Sequence, residues 1–324
     1  MTEPRKITPP VLYIVVPCYN EEEVLPESSK QFDAVLTDMI SKQIIASNSK
    51  ILLVNDGSKD RTWFLIEKFA KENPHFAGIS LSKNRGHQNA LLAGLMTAKE
   101  YADITISLDA DLQDDIHAVY EMVEKYKQNH CEIVFGVRSE RKTDTFFKRA
   151  TAQGFYKLMK GLGVNLIADH ADYRLMSKRA LESLSEYKEV NLFLRGLVCD
   201  LGYKTDVVYY ARNERFAGES KYPLKKMLAF AFQGISSFSV SPIRFITGAG
   251  FFVSFASVLA VLYALISLAF GKVMPGWTSL LISIWFLGGV QLLAIGLIGE
   301  YIGKIYLETK SRPPYFIDKK TGLS

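Results

Sequence analysis

Two apolar stretches toward the C-terminal end constrain this chain more than any other feature. Phe245–Phe270 runs for 26 residues without a charged side chain, and Trp277–Gly299 runs for 23. Each exceeds the roughly 20 residues an α-helix needs to cross a hydrocarbon core. Neither carries a polar face, so burial inside a water-soluble core is a poor alternative. The link between them holds Lys272, Pro275 and Gly276, which predicts a two-helix transmembrane hairpin (about 245–270 and 277–299) within residues 244–300. Lys225, Lys226 and Arg244 precede the pair, and Lys304, Lys310, Arg312, Lys319 and Lys320 follow it. This basic bias places both termini on the cytoplasmic side, with residues 301–324 as a cytoplasmic tail.

Just before the hairpin, Leu224, Met227, Leu228, Ala231, Ile235 and Phe238 share one helical stripe, with Lys225 and Lys226 beside it. That pattern predicts a juxtamembrane amphipathic helix over 224–243, lying on membrane lipids. Gly288, Gly289, Gly296 and Gly299 permit close helix contact and allow a homo-oligomer.

Residues 1–223 have a different character, with charged stretches between short apolar runs. The net charge is only +5 and no lysine or arginine block resembles a nucleic-acid tail, so no nucleic-acid partner is expected. Cys18, Cys131 and Cys199 lack metal-ligand spacing and read as thiols of a reducing compartment. The polar start and the short run Val11–Val16 give no signal peptide, so this part is expected to stay cytoplasmic.

Val11–Val16, Ile51–Val54, Gly78–Leu81, Ile104–Leu108 and Ile133–Val137 are short apolar runs of the kind that form buried parallel strands. Helical periodicity over Thr62–Lys71, Gln88–Lys99 and Ala118–Lys127 separates them. The alternation predicts an α/β fold, an open and mostly parallel sheet with helices on both faces. Such sheets bind ligands outside the carboxyl ends of their strands. The unusual polar residues cluster at those ends: Tyr19-Asn20-Glu21, Asp56, Asn84, and Asp109 with Asp111.

Asp109-Ala110-Asp111-Leu112-Gln113 follows directly on an apolar strand. Where the chain turns at a strand end, Asp111 and a neighbour can converge on one hard cation, Mg²⁺ or Mn²⁺, which also binds substrate phosphates. Asp114 and Asp115 fit a solvated turn. Asp56, in Asn55-Asp56-Gly57-Ser58, is either a turn former or an acceptor for a base or ribose.

Together these blocks resemble a family 2 glycosyltransferase with the GT-A fold: Val16-Pro17-Cys18-Tyr19-Asn20-Glu21-Glu22, Asn55-Asp56-Gly57-Ser58 with Asp60 and Thr62, Asn84-Arg85-Gly86, and Asp109-Ala110-Asp111-Leu112-Gln113. Further stretches extend the resemblance: Gly136-Val137-Arg138-Ser139-Glu140-Arg141, Ala171-Asp172-Tyr173-Arg174-Leu175-Met176, and Arg215-Phe216-Ala217-Gly218-Glu219-Ser220-Lys221-Tyr222. The longer pattern is similar to the polyisoprenyl-phosphate glycosyltransferases, the bacterial undecaprenyl-phosphate (bactoprenol) glucosyltransferases most closely and dolichyl-phosphate mannose synthases more distantly.

The resemblance implies roles. Pro17, Tyr19, Asn20, Glu21 and Asp56, with Asn84, Gly86 and Ala110, would line the nucleotide-sugar site. Asp109 and Asp111 would face the sugar and diphosphate, and Asp111, Gln113 and Asp109 would be the metal ligands. Arg138 and Arg149 match positions near the acceptor phosphate, Asp172 the acidic residue near the sugar, and Arg215 and Lys221 basic residues of a loop closing over the phosphates. His87-Gln88 departs from the Lys-Glu that many relatives carry there. The implied reaction moves a sugar, glucose from UDP-glucose, onto undecaprenyl or another polyprenyl phosphate at the inner face of the bacterial cytoplasmic membrane. Transfer from GDP-mannose and a non-catalytic nucleotide-sugar-binding scaffold are the alternatives. The Gln-x-x-Arg-Trp motif of processive polysaccharide synthases is absent from the sequence.

Overall fold

The computed structural model describes residues 8–139, 170–190, 192–211, 241–270 and 276–323. In chain order its elements are β1 (Leu12–Cys18), α1 (Leu25–Ser41), β2 (Lys50–Asn55), α2 (Thr62–Glu72), β3 (Phe76–Leu81), α3 (His87–Ala98), β4 (Ile104–Ser107), α4 (Ala118–Asn129) and β5 (Ile133–Arg138). There follow β6 (His170–Ser177), α5 (Lys178–Ser185), α6 (Leu194–Asp200), β7 (Thr205–Tyr210), α7 (Ser241–Ala269), α8 (Trp277–Thr309) and β8 (Ile317–Thr321).

The expected apolar runs are all strands of one eight-stranded sheet, in the order β7-β5-β6-β4-β1-β2-β3-β8. β1 pairs in parallel with β2 and β4, β2 with β3, and β5 with β7. Every residue of β3 and β4 is buried, as strands covered on both faces require. On one face, Leu12, Ile14 and Val16 join a core with Phe32, Leu36 and Met39 of α1 and with Val119 and Met122 of α4. On the other, α3 lies so close that a β-carbon on Gly94 would stand 2.4 Å from Val15 Cγ1.

Two departures from all-parallel pairing matter for the site. β6 is inserted antiparallel between β4 and β5, with Ser107 opposite Arg174. This brings the start of β6, where Asp172 sits, to the carboxyl end of β4. β8 pairs antiparallel with β3 at the far edge, so part of the expected C-terminal tail belongs to the sheet. Its outward lysines, Lys319 and Lys320, are exposed, as suits an edge strand.

The described elements fall into two compact units, one holding the sheet with α1–α6 and the other holding α7 and α8. Among the described residues, the stretch long and apolar enough to cross a membrane is Phe286–Thr309 of α8, none of it buried; the apolar stretch of α7, Ile243–Val253, is shorter. The helix α8 runs on to Thr309, past the expected end at Gly299. The juxtamembrane helix expected over 224–243 lies outside the described residues except for its last three positions, which open α7.

Candidate active site

The polar blocks come together where the topology predicts, at the carboxyl ends of β1, β2 and β4. The β1 and β2 ends are stapled to each other: Asn20 N donates to Ser58 Oγ (3.0 Å), Lys59 N to Asn20 Oδ1 (2.9 Å), and Glu21 N to Thr62 Oγ1 (2.9 Å). Asn20 holds φ of 54°, a left-handed conformation that asparagine tolerates. Its side chain is thus spent on loop shape. Tyr19 stands 44% exposed and presents an open ring, while Pro17 sits half-buried opposite Val54.

Asp56 is almost fully buried, and its two carboxylate oxygens receive the amides of Arg85 (2.7 Å) and Gly86 (2.9 Å). Burial pushes its carboxyl up from the ordinary value, and those two amides oppose the push. Asp56 therefore fixes the loop Asn84-Arg85-Gly86, with Asn84 Oδ1 also accepting from Gly86 N (3.2 Å). Gly57 lets that loop close down, because a β-carbon there would lie 2.5 Å from Asn84 N, and its φ of +62° suits glycine.

α3 begins immediately after this loop. Its first residue, His87, points Nε2 between two carboxylates, at 3.8 Å from Asp109 Oδ1 and 3.5 Å from Asp172 Oδ2. Arg195, in the first turn of α6, holds Asp172 with both arms: Nε to Oδ1 at 3.3 Å and Nη2 to Oδ2 at 3.1 Å. Arg174, fully buried, reaches Asp172 Oδ1 at 3.2 Å. The hydroxyl of Ser107 donates to the backbone carbonyl of Asp172 and ties β4 to β6 at this point.

Electrostatics separate the two carboxylates that flank His87. Burial alone would raise Asp172, but His87, Arg195 and Arg174 hold its carboxyl well below the usual range. Asp109 faces His87, and although its side chain keeps 38% exposure, partial removal from water pushes it up to about 6. The carboxylates of Asp114, Asp172 and Asp111 add to that push, and His87 counters it. Burial would lower His87, yet Asp172 and Asp109 raise it above the ordinary imidazole value.

The Asp-rich turn divides likewise. Leu112 takes φ of 57°, and Asp111 Oδ1 accepts from Gln113 N (3.1 Å), which shapes a tight turn on half-buried Asp111 and buried Gln113. Ala110 is buried. Asp114 corrects the expectation of a solvated residue: only 2% of its side chain is exposed, and it accepts from Arg138 Nη2 (3.0 Å) and the Tyr210 hydroxyl (2.7 Å). Arg138 is thereby anchored in an ion pair, with 29% of its side chain open. Arg149, Arg215 and Lys221 lie outside the described residues.

The donor set can be tested against a divalent cation. Asp111 and Gln113 offer hard oxygens, and among the described residues no group of three or more His, Cys, Asp or Glu side chains converges as a closed metal cage. One or two protein oxygens completed by waters and substrate phosphates is how Mg²⁺ is commonly held in phosphate-handling sites. The residues therefore fit an ion that arrives with, or is completed by, a diphosphate.

Sequence reasoning did not find His87, Arg174, Arg195 or Tyr210. His87 was marked by its departure from the Lys-Glu pattern. Arg174 lay inside the quoted Asp172 block, a charge within an otherwise strand-like run. Arg195 and Tyr210 carried no signal, since helix and strand from distant parts of the chain bring them in.

A mostly parallel α/β sheet with carboxylates gathered at its strand ends defines an α/β enzyme whose ligand site lies at the sheet's carboxyl edge. The chain belongs to glycosyl transferase family 2, which residues 13–185 match. It is 58% identical over 313 residues to the uncharacterized glycosyltransferase YkoT of Bacillus subtilis, covering 97% of this chain and 93% of that protein. It is 42% identical over 308 residues to the SfII prophage-derived bactoprenol glucosyl transferase of Shigella flexneri, covering 94% and 97%. A solved structure of glucosyl-3-phosphoglycerate synthase from Mycobacterium tuberculosis, in complex with Mn²⁺, uridine diphosphate and phosphoglyceric acid, aligns with a TM-score of 0.46 at 18% identity over 70% of this chain and 76% of that one.

Proposed function

We propose that this glycosyltransferase transfers glucose from UDP-glucose to undecaprenyl or a related polyprenyl phosphate at the cytoplasmic membrane face, with inversion at the anomeric carbon. The observation that carries the reading is the convergence of Asp56, Asp109, Asp111 and Asp172 at adjacent strand ends. The relatives named bactoprenol glucosyl transferase, similar over nearly the whole chain, supply the acceptor class and the sugar.

In this reading, Pro17, Tyr19, Glu21 and the Asp56-held loop of Asn84 and Gly86 receive the nucleoside. Asp109 faces the sugar. Asp111 and Gln113, with Asp109 beside them, would hold Mg²⁺ or Mn²⁺, which neutralises the departing diphosphate. A phosphate monoester has a second pKa near 6, so the acceptor is mostly dianionic at about pH 7 and needs positioning more than deprotonation. Its oxygen attacks the anomeric carbon, the bond to the diphosphate breaks, and UDP departs; an α-linked donor gives a β-linked lipid phosphate. Arg138, Arg149, Arg215 and Lys221 offset the acceptor's charge, arginine forks suiting phosphate oxygens.

The same reading gives a cytoplasmic catalytic domain over 1–223, a juxtamembrane helix over 224–243 and two spans within 244–300, both termini inside. The charge-free run Phe245–Phe270 supports the first span and the apolar stretch of α8 the second. Glycines of α8 allow a homo-oligomer. The test is a donor panel of UDP-glucose, UDP-galactose, UDP-N-acetylglucosamine and GDP-mannose with undecaprenyl phosphate. Glucose is expected to reach the lipid fastest. Preference for mannose would overturn the sugar assignment, and donor consumption unaffected by the lipid phosphate would overturn the acceptor.

A further inference from the structure

Asp172 is positioned as a family acid would be, yet its surroundings are those of an ion-pair hub. Both of its oxygens are engaged: Oδ1 by Arg195 Nε (3.3 Å) and Arg174 Nη2 (3.2 Å), Oδ2 by Arg195 Nη2 (3.1 Å) and His87 Nε2 (3.5 Å). Only 11% of its side chain is exposed. A carboxylate held by two arginines with a histidine beside it is a weak proton acceptor, because general-base efficiency falls as the group's proton affinity falls away from the working pH. The dianionic acceptor assigned above needs no such base.

Around this hub the chain is tied twice. Two consecutive residues at the start of α3 reach the segment that carries α6: His87 through Asp172 to Arg195, and Gln88 directly, its Oε1 accepting from Leu194 N at 3.0 Å. The same start of α3 is fixed on its other side by Asp56, which holds Gly86 N. A continuous path therefore runs from the β2 end through Gly86 and His87 to Asp109 and Asp172, and ends on Arg195. Arg195 lies beyond residues 13–185 that match the family. Behind the hub, buried Arg174 keeps two nitrogens, Nε and Nη1, without a hydrogen-bond partner, so Asp172 is the counter-charge this guanidinium depends on.

We propose that Arg195 is a positioning residue of the transfer reaction, acting through Asp172 to hold His87 against Asp109, and that Asp172 is the hub of this ion chain and not the proton acceptor. The inference rests on the transferase reading given above. Arg195 is the residue to change, since altering Asp172 also strands Arg174 and invites misfolding. His87 serves as the second probe.

The experiment compares the full-length protein in lipid nanodiscs with R195M, R195K, H87Q and H87K. Each is measured for kcat, for KM of UDP-glucose and undecaprenyl phosphate, for UDP affinity in Mg²⁺, and for melting temperature. R195M should lose about a hundredfold in kcat, the order expected when a preorganised charge is removed from a reacting centre. UDP affinity and melting should hold within about twofold and a few degrees. R195K and H87K should recover part of what R195M and H87Q lose, since each gives Asp172 a positively charged donor. A kcat for R195M within threefold of wild type overturns the proposal, as does an R195M loss that R195K fails to relieve and that UDP affinity and melting share. If the wild type moves no sugar to the lipid from any donor, the functional reading falls and the proposal with it; if the wild type is active and R195M equally so, only the proposal falls.

Discussion

The strand-end site and the helices α7 and α8 use opposite physics. At the site, charges are drawn in and answered by other charges: Asp172 by His87, Arg174 and Arg195, and Asp114 by Arg138. Along the helices, large apolar side chains stand open, with Phe251, Phe252, Leu292 and Leu293 each at least 72% exposed. A chain that pairs its buried charges so carefully does not leave that much apolar surface to water. The contrast is what the proposed membrane setting predicts: protein groups answer the charges of the site, and lipid would cover the open apolar side chains of the helices.

The comparison can be broken at either end. The largest effect is expected at Asp111: Asp111→Ala should lower metal-dependent transfer by roughly a thousandfold, the scale of losing a cation's hold on the leaving group, while membrane retention stays intact. Transfer and membrane fractionation of the same preparation check both halves. Next, Asp114→Ala removes the counter-charge of Arg138 and a partner of Tyr210 at a site 2% exposed. Removing one side of a buried pair costs about 3–5 kcal/mol, and the partial exposure of Arg138 brings the expectation to the low end, about 3 kcal/mol by denaturant titration. Leu293→Arg places a charge on the lipid side; insertion should weaken by up to about 3 kcal/mol, read as protein lost from the membrane fraction, with UDP binding unchanged. Smallest of the four, Gly57→Ala should cost about 1–3 kcal/mol because its φ is positive and Asn84 N stands in the way, with UDP affinity weakened as the Asp56-held loop shifts.

Much of this architecture was legible in the residues, for a physical reason. Parallel strands covered on both faces must be almost wholly apolar, so β1 to β5 announced themselves as short runs, and the polar residues that ended them marked the site. β6 did not, because His170-Ala171-Asp172-Tyr173-Arg174 mixes charge into a strand that the fold uses to build the ion hub. β8 was read as a charged tail: an edge strand needs only backbone pairing on one side, and Ile317-Asp318-Lys319-Lys320-Thr321 carries little apolar pattern. Asp114 looked solvated for a related reason, since its burial depends on Arg138 and Tyr210 from β5 and β7, partners that no local window contains. The carboxylates of the site were visible one by one; what answers each of them was not.

The most direct test follows radiolabelled glucose from UDP-glucose in membranes or nanodiscs carrying the full chain. With undecaprenyl phosphate and Mg²⁺ or Mn²⁺ present, label should move into the organic-extractable lipid fraction, and chelating the metal should stop it. Label that stays in the aqueous phase, or that reaches lipid equally well without the polyprenyl phosphate, would contradict the account.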